Sequence, residues 1–191
     1  MQLETELNDL DAITGDGDCG STVKSGALAV MKAIEHVQPS PSGMLFIIAK
    51  VLEDKMGGSS GSLLSLLFTA FAADIKVNGE QIDLLNLTRG LGEGIVAMME
   101  VGRASRGDRT MLDALIPAHE ALEVASKEKS TDPVALSNAA KAAYNGAELT
   151  RTLTAKAGRA AYCKDRNTGH AADPGAVMIS HVFALLAKSV A

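Results

Sequence analysis

Residues Leu10–Gly20 read LDAITGDGDCG, a stretch that combines acidic residues with glycines. It places three carboxylates, those of Asp11, Asp16 and Asp18, within eight residues, and each of the last two follows a glycine. Glycine permits the tight turns that would fold such a loop back on itself. We therefore expect the three acidic side chains to converge where one helix ends and the next begins.

The position of Asp11 indicates that this convergence serves a metal ion. Leucines recur at helical spacing through residues 3–12, which predicts an amphipathic helix with Asp11 on or beside its buried face. An unpaired carboxylate is costly there, and no Lys or Arg lies within ten residues of it in the sequence. A hard divalent cation, above all Mg²⁺ with phosphate oxygens completing its coordination, would satisfy all three groups.

Two other interpretations of this loop compete with the metal site. The aspartates could cap the second helix, a role that Asp18 could fill alone, but capping leaves an inward Asp11 unexplained. The spacing of Asp16 and Asp18 also matches the opening of an EF-hand calcium loop. The twelfth position of such a loop requires Glu and is Ala27 here. The sequence therefore favours a magnesium–phosphate site.

The composition predicts a single all-α domain. The chain has 191 residues, of which 47% are hydrophobic and only 3% aromatic, and it lacks alternating runs of β-branched residues. A formal net charge of −5 argues against a nucleic-acid partner. Cys19 and Cys163 do not make a disulfide framework, and no signal peptide or uninterrupted apolar run of membrane length is evident. We expect a cytoplasmic protein without a membrane partner.

Apolar residues recur at helical spacing in eight segments, so the sequence predicts eight helices joined by short and medium loops. Asp108 or Thr110 is predicted to cap the sixth helix, and residues 132–157 to form one long Ala-rich seventh helix. The last helix is expected to open at Asp173-Pro174. Its predicted buried residues are Val177, Val182, Leu185 and Leu186.

Up-and-down connection of these helices would bring alternate loops to one end of a bundle. The loops in question span residues 13–19, 57–60, 102–109 and 158–173. These four are also the loops that are rich in glycine, hydroxyl and charged residues. The sequence therefore predicts a single site at one end of the bundle.

Two of these regions contain groups suited to phosphate. Gly57–Gly61 opens a helix, so its backbone N–H groups and the hydroxyls of Ser59 and Ser60 would bind an anion. A glycine C-cap followed by a serine N-cap would explain the same residues, and this alternative stays open. Ser21 and Thr22 begin the second helix beside the carboxylates and could bind a second phosphate.

The remaining regions contain candidates for a base, a ribose and a phosphate cation. Gly102 would permit close approach of a flat group, and Thr110 and Met111 could pack on a base, although Met is more often a core residue. Arg159 is the candidate cation for phosphate. Asp173–Gly175 is first a helix start and second a ribose or base contact. No Ser-His-Asp or Cys-His arrangement is present, so we predict no catalytic residue beyond the metal ligands.

Five motifs, in order and spread over nearly the whole chain, resemble the nucleotide-binding (L) domain of the dihydroxyacetone kinase family. They are Leu10–Gly20, Lys55–Gly61, Gly107–Asp113, Ala157–Tyr162 and Gly169–Gly175. The resemblance implies that residues 1–191 form one L-type domain. Its first helix looks short, because family members usually carry more residues ahead of the first motif.

The resemblance also implies a fold and a set of ligands. The fold would be an antiparallel eight-helix up-and-down barrel with the nucleotide site at one end. Asp11, Asp16 and Asp18 would hold two Mg²⁺ ions that clamp the phosphates of ATP or ADP. The residues implied around the phosphates are Cys19, Gly20, Ser21, Thr22, Ser59, Ser60 and Arg159. Those implied around the base and ribose are Gly102, Met111, Asp173, Pro174 and Gly175.

The function implied is transfer of the ATP γ-phosphate to dihydroxyacetone, or a close triose, bound on a separate substrate (K) domain. This chain alone would bind nucleotide and depend on that partner, and a homodimer is left open. The motifs look more like those of the ATP-dependent kinases than of the alternative, an ADP-carrying subunit of a phosphotransferase-coupled kinase. A non-catalytic nucleotide-binding regulator is a second alternative. The fatty acid kinases rank last, since they typically have Asn in place of Asp11.

Overall fold

The computed structural model of the protein describes residues 2–162 and 170–191, with the backbone alone at positions 2 and 159. Within these residues the chain forms eight α-helices, two short 3-10 helices and no strand, which confirms the predicted all-α class. The α-helices are α1 (Gln2–Asp11), α2 (Cys19–Ile34), α3 (Pro41–Lys55), α4 (Gly58–Val77), α5 (Leu84–Gly102), α6 (Leu112–Lys127), α7 (Asp132–Leu149) and α8 (Pro174–Ser189). The 3-10 helices span Thr150–Thr152 and Arg159–Tyr162.

The chain divides into two compact units. The first contains Met1–Gly20 and Ala104–Ala191, and the second contains Ser21–Arg103. In the first unit α7 packs on both α6 and α8, and α1 packs on α8, so the first helix joins the last three despite the intervening sequence. In the second unit α4 packs between α3 and α5. Short connections join α3 to α4, α4 to α5 and α6 to α7, and helices joined in this way run antiparallel.

Small residues allow the helices of the first unit to approach closely. The buried residues between α6 and α7 include several alanines, and Gly146 of α7 faces the backbone of α6. A Cβ added at Gly146 would collide with the carbonyl oxygen of Asp113 and lie 3.1 Å from the Cα of Ala114. This contact explains why an Ala-rich sequence with few aromatic residues can still make a dense core.

Helix α4 is the core helix of the second unit. Its buried residues include Leu64, Leu67, Phe71 and Ile75. A Cβ added at Gly61 would lie 2.9 Å from the carbonyl oxygen of Leu52 in α3, which shows how closely these helices approach. By length and composition alone α4 could also cross a membrane, but a core helix of a globular protein passes the same test, so this is weak evidence.

The structure corrects the predicted end of the seventh helix. Helix α7 stops at Leu149 and continues as a 3-10 turn, whereas the Ala-rich pattern predicted a helix to residue 157. The Thr150 hydroxyl donates to the carbonyl oxygen of Ala147 at 2.5 Å and accepts the backbone N–H of Asp173 at 2.8 Å. The helix therefore ends where a buried side chain is engaged by another segment, an event that the periodicity of one helix does not encode.

The predicted buried face of the last helix is also wrong in part. Val177 is buried, but Val182, Leu185 and Leu186 are exposed by 44%, 64% and 41%. The core face of α8 instead uses Met178, Ile179, Ser180 and Phe183 besides Val177. Because α8 is apolar on most of its circumference, hydrophobic spacing alone could not decide which face is covered.

The start of the sixth helix differs from the prediction as well. Helix α6 begins at Leu112, after Met111, and neither predicted residue provides its N-cap. The Asp108 carboxylate accepts the backbone N–H of Ser105 at 2.8 Å, within the preceding loop. The Thr110 hydroxyl accepts the N–H of Leu112 at 3.2 Å. Both side chains thus organise the loop before the helix.

Replacing Gly146 with Ala should destabilise the protein. Overpacking against the α6 backbone costs up to about 3 kcal/mol, more than the helix propensity of about 1 kcal/mol that Ala gains over Gly. We expect the free energy of unfolding, measured by urea denaturation, to fall by about 2 kcal/mol. Asn145→Ala, at the exposed neighbouring position of α7, is the control and should change it by about 0.5 kcal/mol or less. Equal stability of Gly146→Ala and the wild type would contradict the close α6–α7 contact.

Candidate functional site

The three carboxylates of the glycine-rich loop converge as the sequence predicts. One ligand oxygen from each of Asp11, Asp16 and Asp18 lies within 4.8 Å of those of the other two. Helix α1 ends at Asp11, whose carbonyl oxygen accepts the N–H of Gly15 at 2.6 Å, so the chain reverses directly after the helix. Asp16 and Asp18 are exposed and Asp11 is half-buried, which leaves the group open to a ligand on one side.

Asp11 also connects the end of α1 to the start of α2. Its Oδ2 atom accepts the backbone N–H of Asp18 at 3.0 Å and that of Cys19 at 3.2 Å. The N–H groups at the start of a helix lack partners within the helix, so Asp11 takes part of the capping role that the sequence assigned to Asp18. Capping and metal binding are compatible here, because a carboxylate has about four acceptor positions.

Steric constraints explain why glycines occupy several positions around this loop. A Cβ at Gly15 would collide with Oδ1 of Asp11, so this glycine makes room for the carboxylate. Gly17 has a φ of +76°, a conformation that favours glycine. A Cβ at Gly20 would collide with the carbonyl oxygen of Glu4 in α1. The glycine pattern therefore maintains both the turn and the close contact between α1 and the first turn of α2.

The chemistry of this donor set suits a hard divalent cation. The three ligands supply oxygen only, and carboxylate oxygens are the donors that Mg²⁺ and Ca²⁺ prefer. Three negative charges this close repel one another, and a divalent cation would offset that repulsion. The arrangement can therefore hold Mg²⁺, and the assignment of Asp11, Asp16 and Asp18 as its ligands stays a prediction.

A second cluster in the first unit joins the start of α6 to the start of α8. Asp173 is the N-cap of α8 and accepts the N–H of Ala176 at 2.8 Å, and Pro174 occupies the first turn. A Cβ added at Gly175 would lie 3.1 Å from Oδ1 of Asp173 and 3.3 Å from the Cβ of Met111. Met111 is buried. The structure thus brings together Met111, Asp173 and Gly175, which the sequence assigned to one nucleoside-binding group.

The carboxyl group of Asp173 has a pKa above the ordinary value of an aspartate. Desolvation by burial raises its pKa to about 6, and the negative charge of Asp113 acts in the same direction. The hydrogen bond from Ala176 and the positive charge of Arg109 oppose this shift of the pKa. The net effect is that the protonated form of Asp173 persists to a higher pH than in an exposed aspartate.

Two charged residues, one in the loop before α6 and one in the first turn of α6, were not among the predicted site residues. Arg109 has a φ of +61° and is only 1% exposed, and its Nη2 donates to the carbonyl oxygen of Ala171 at 3.0 Å. Asp113 is buried and accepts the N–H groups of Gly107 at 2.5 Å and Thr110 at 2.8 Å. In the sequence, these residues are only two charged positions in a short segment that begins with glycine. Hydrophobic periodicity does not distinguish such a segment from a solvated loop, so it could not predict that the two side chains are buried.

Other predicted site residues lie in the second unit. Helix α2 begins at Cys19, and of its next residues Ser21 is exposed and Thr22 half-buried. Ser59 is exposed and Ser60 half-buried in the first turn of α4. The N-cap of α4 is Gly57, which has a φ of +69° and no capping side chain. The first N–H groups of α4 thus lack a side-chain acceptor at the N-cap, a condition that suits an anion.

Gly102 was predicted to lie in a loop, but it is the last residue of α5. A Cβ added there would lie 3.1 Å from Cδ2 of Leu63, so the glycine makes room for α4 within the second unit. Arg103 then ends the helix in the left-handed conformation, with a φ of +49°. A role of Gly102 against a base stays a prediction.

Part of the predicted site lies outside the described residues. Arg159 begins a 3-10 helix, but its side chain is not described. Residues 163–169, which include Cys163 and the start of the last predicted motif, are likewise outside the described ranges. The phosphate contact expected of Arg159 therefore stays a prediction.

Comparison with known proteins shows which family the chain belongs to. A sequence model of the DAK2 domain matches residues 13–188. The chain is 38% identical over 192 residues to the dihydroxyacetone kinase of Citrobacter freundii, an alignment covering 98% of this chain and 32% of that protein. It is 39% identical over 186 residues to the triokinase/FMN cyclase of Homo sapiens, covering 96% of this chain and 32% of that protein.

Solved structures agree with this relationship. The native crystal structure of the Citrobacter freundii dihydroxyacetone kinase matches with a TM-score of 0.78 at 35% identity, covering 98% of this chain and 32% of that one. The same kinase in complex with AMP-PNP and Mg²⁺ matches with a TM-score of 0.76 at 34% identity, covering 98% and 31%. The chain thus spans about a third of the length of these relatives.

The raised pKa of Asp173 makes a prediction about stability. The folded protein holds a proton on this group up to about pH 6, whereas the unfolded chain releases it near the ordinary value of 3.8. The contribution of Asp173 to the free energy of unfolding therefore falls as pH rises through this window. Asp173→Asn keeps an acceptor for Ala176 and removes the titration. We expect the stability of this variant, relative to the wild type, to be greater at about pH 7 than at about pH 4, measured by thermal denaturation.

Asp83 provides a matched control for this experiment. It is the N-cap of α5 and accepts the N–H of Asn86 at 2.7 Å, the same arrangement as at α8, but its side chain is exposed. Asp83→Asn should show a much smaller change of relative stability between the two pH values. A wild type and an Asp173→Asn variant with the same pH response would contradict the burial argument.

Proposed function

The chain belongs to the DAK2 domain family, and on that premise we propose that it is the ATP-binding, phosphoryl-transferring domain of a dihydroxyacetone (triose) kinase. The observation that carries the proposal is the convergence of Asp11, Asp16 and Asp18 on one solvent-accessible point. A related kinase, aligned over 98% of this chain, has been crystallised with AMP-PNP and Mg²⁺. An oxygen-only trio of carboxylates is the kind of site that binds Mg²⁺ together with nucleotide phosphates.

The metal-binding residues would contribute by holding the metal ions in place. Asp11, Asp16 and Asp18 would hold two Mg²⁺ ions, and the hydrogen bonds from Asp18 and Cys19 keep the Asp11 carboxylate oriented. Bound Mg²⁺ supplies electrostatic stabilisation for the charge on the transferring phosphoryl group. Phosphoryl transfer needs little covalent participation by the protein, which fits the absence of a nucleophilic arrangement in the sequence.

The remaining residues would bind the ends of the nucleotide. Helix N-termini bind phosphate through their free N–H groups, and the first turns of α2 and α4 provide them. The proposed phosphate contacts are Cys19, Gly20, Ser21, Thr22, Ser59, Ser60 and Arg159. The proposed base and ribose contacts are Gly102, Thr110, Met111, Asp173, Pro174 and Gly175. Asp173 would accept a ribose hydroxyl in its ionised form and Met111 would contact the base.

The phosphoryl acceptor would be bound by a K domain, on the same or a separate chain. This chain spans about a third of the length of its relatives named as kinases, which is compatible with a domain that supplies only the nucleotide. Transfer requires the acceptor hydroxyl in line with the γ-phosphoryl group. We place the complete enzyme in the cytoplasm, with ATP as the donor.

The metal trio can be tested by a single charge change. Asp16→Asn preserves the shape of the side chain and removes one of the three charges, so we expect Mg²⁺-dependent affinity for ATP to fall by about tenfold or more. Isothermal titration calorimetry with and without EDTA measures it. Asp9→Asn makes the same change on the exposed side of α1 and is the control. Equal Mg-ATP affinity of Asp16→Asn and the wild type would defeat the assignment.

The division of labour between domains makes a separate prediction. The chain alone should bind Mg-ATP but form little triose phosphate from dihydroxyacetone, because nothing positions the acceptor. Addition of a dihydroxyacetone-binding K domain should restore product formation, measured by a coupled triose phosphate assay. Binding of nucleotide without product in the presence of a competent K domain would favour the non-catalytic alternative. Bound ADP that does not exchange with free ATP would favour the phosphotransferase-coupled alternative.

A further inference from the structure

Residues 170–173, which lead into α8, are held by three side chains of the first unit. Nη2 of Arg109 donates to the carbonyl oxygen of Ala171 at 3.0 Å. Nη1 of Arg151 donates to the carbonyl oxygen of His170 at 3.3 Å. The Thr150 hydroxyl accepts the N–H of Asp173 at 2.8 Å. Three bonds to the backbone within four residues determine where this segment, and hence the N-terminus of α8, lies.

Arg109 is the costly member of this group. Its side chain is 1% exposed, and its Nε and Nη1 atoms have no hydrogen-bond partner among the described residues. Removing a guanidinium from water without satisfying its donors is unfavourable. Its backbone φ of +61° is also an uncommon conformation for a residue with a side chain. A residue that is unfavourable in both respects is a poor choice for stability alone.

The immediate neighbours of Arg109 explain what its position achieves. The next two residues are Thr110 and Met111, and Met111 lies against Gly175 at the start of α8. The Arg109 bond to Ala171 therefore joins the loop before α6 to the segment before α8, close to where their side chains meet. Arg151 is instead paired with Glu148 at 2.9 Å on the exposed side of this segment.

Charged groups near Asp173 also affect its ionisation. Arg109 attracts its carboxylate and Asp113 repels it. Helix α1 carries Glu6, which lies 3.7 Å from His181 on α8 and also acts on Arg151. Of these groups, the cation that acts directly on Asp173 is Arg109. Arg109 thus influences both the position and the ionisation of the residue that would contact the ribose.

We propose that Arg109 is a positioning residue for the nucleoside end of the nucleotide site. By holding the backbone at Ala171, it sets the N-terminus of α8 so that Asp173 and Gly175 lie beside Met111 in the arrangement that receives the base and ribose. The inference rests on the proposed function, since it assigns this cluster to a nucleotide. It predicts that Arg109 matters for the nucleoside part of the ligand and not for the phosphates.

A comparison of two ligands tests this role. Mg-ATP and Mg-tripolyphosphate share the phosphate chain and the metal, and only ATP carries the nucleoside. For Arg109→Met we expect affinity for Mg-ATP to fall by about 10–100-fold, the effect of losing a charged hydrogen bond. Affinity for Mg-tripolyphosphate should change by less than about threefold, because the carboxylate trio is intact. Arg109→Lys keeps the charge and should lose less Mg-ATP affinity than Arg109→Met.

Arg106 provides the matched control. It lies three residues away in the same loop, is exposed, and pairs with Glu120 at 2.9 Å. Arg106→Met should leave both affinities within about twofold of the wild type. Circular dichroism of each variant records whether it is folded, and all titrations use the chain as it stands.

Several results would overturn the proposal. Equal losses of both ligands in a folded Arg109→Met variant would mean that the residue is merely structural, and unchanged Mg-ATP affinity would mean that it positions nothing. If Arg109→Met does not fold, Arg109→Lys decides: selective loss of Mg-ATP affinity supports the proposal, and no selective loss refutes it. A wild type that binds Mg-tripolyphosphate but not Mg-ATP would contradict this inference, whereas one that binds neither would contradict the proposed function instead.

Discussion

Close approach of three carboxylates is the constraint on which the loop between α1 and α2 depends. Their ligand oxygens lie within 4.8 Å of one another, where mutual repulsion opposes the fold at neutral pH. The chain offsets part of this repulsion with backbone donors, because Asp11 accepts the N–H groups of Asp18 and Cys19. The same side chain thus fixes the start of α2 and contributes to an excess of negative charge that a divalent cation would neutralise.

The first unit contains a second electrostatic cluster, in which desolvation affects an acid and a base instead of three acids lying close together. Around the start of α8, desolvation raises the pKa of Asp173 to about 6 and also lowers the pKa of Arg109. Each charge partly restores the ionised form of the other. The trio, which is open to solvent at Asp16 and Asp18, would suit a strongly charged ligand such as metal-bound phosphate. Asp173 and Arg109, whose charged forms are disfavoured by desolvation, would suit an uncharged ligand such as a nucleoside. The proposed function assigns these two regions of the first unit to the two ends of a nucleotide.

The predictions that succeeded depend on local chemistry. The turn at Gly15 and Gly17 follows from backbone freedom and steric space, and the convergence of the aspartates follows from that turn. The predictions that failed depend on contacts between segments. Helix α7 ends where Thr150 meets the backbone of Asp173, and Val182 of α8, which was predicted to be buried, is exposed. Neither outcome can be read from the helix itself.

The sequence alone determined the all-α class, the order of the helices and the acidic loop, because helical periodicity and glycine placement act over a few residues. Tertiary structure decided that α1 packs on α8, the last helix, and that Arg109 is buried and bonded to Ala171. It also decided that Asp113 accepts two loop N–H groups. These outcomes depend on burial and on partners that are distant in sequence. The free energy of a charged side chain depends strongly on both, and a linear pattern contains neither.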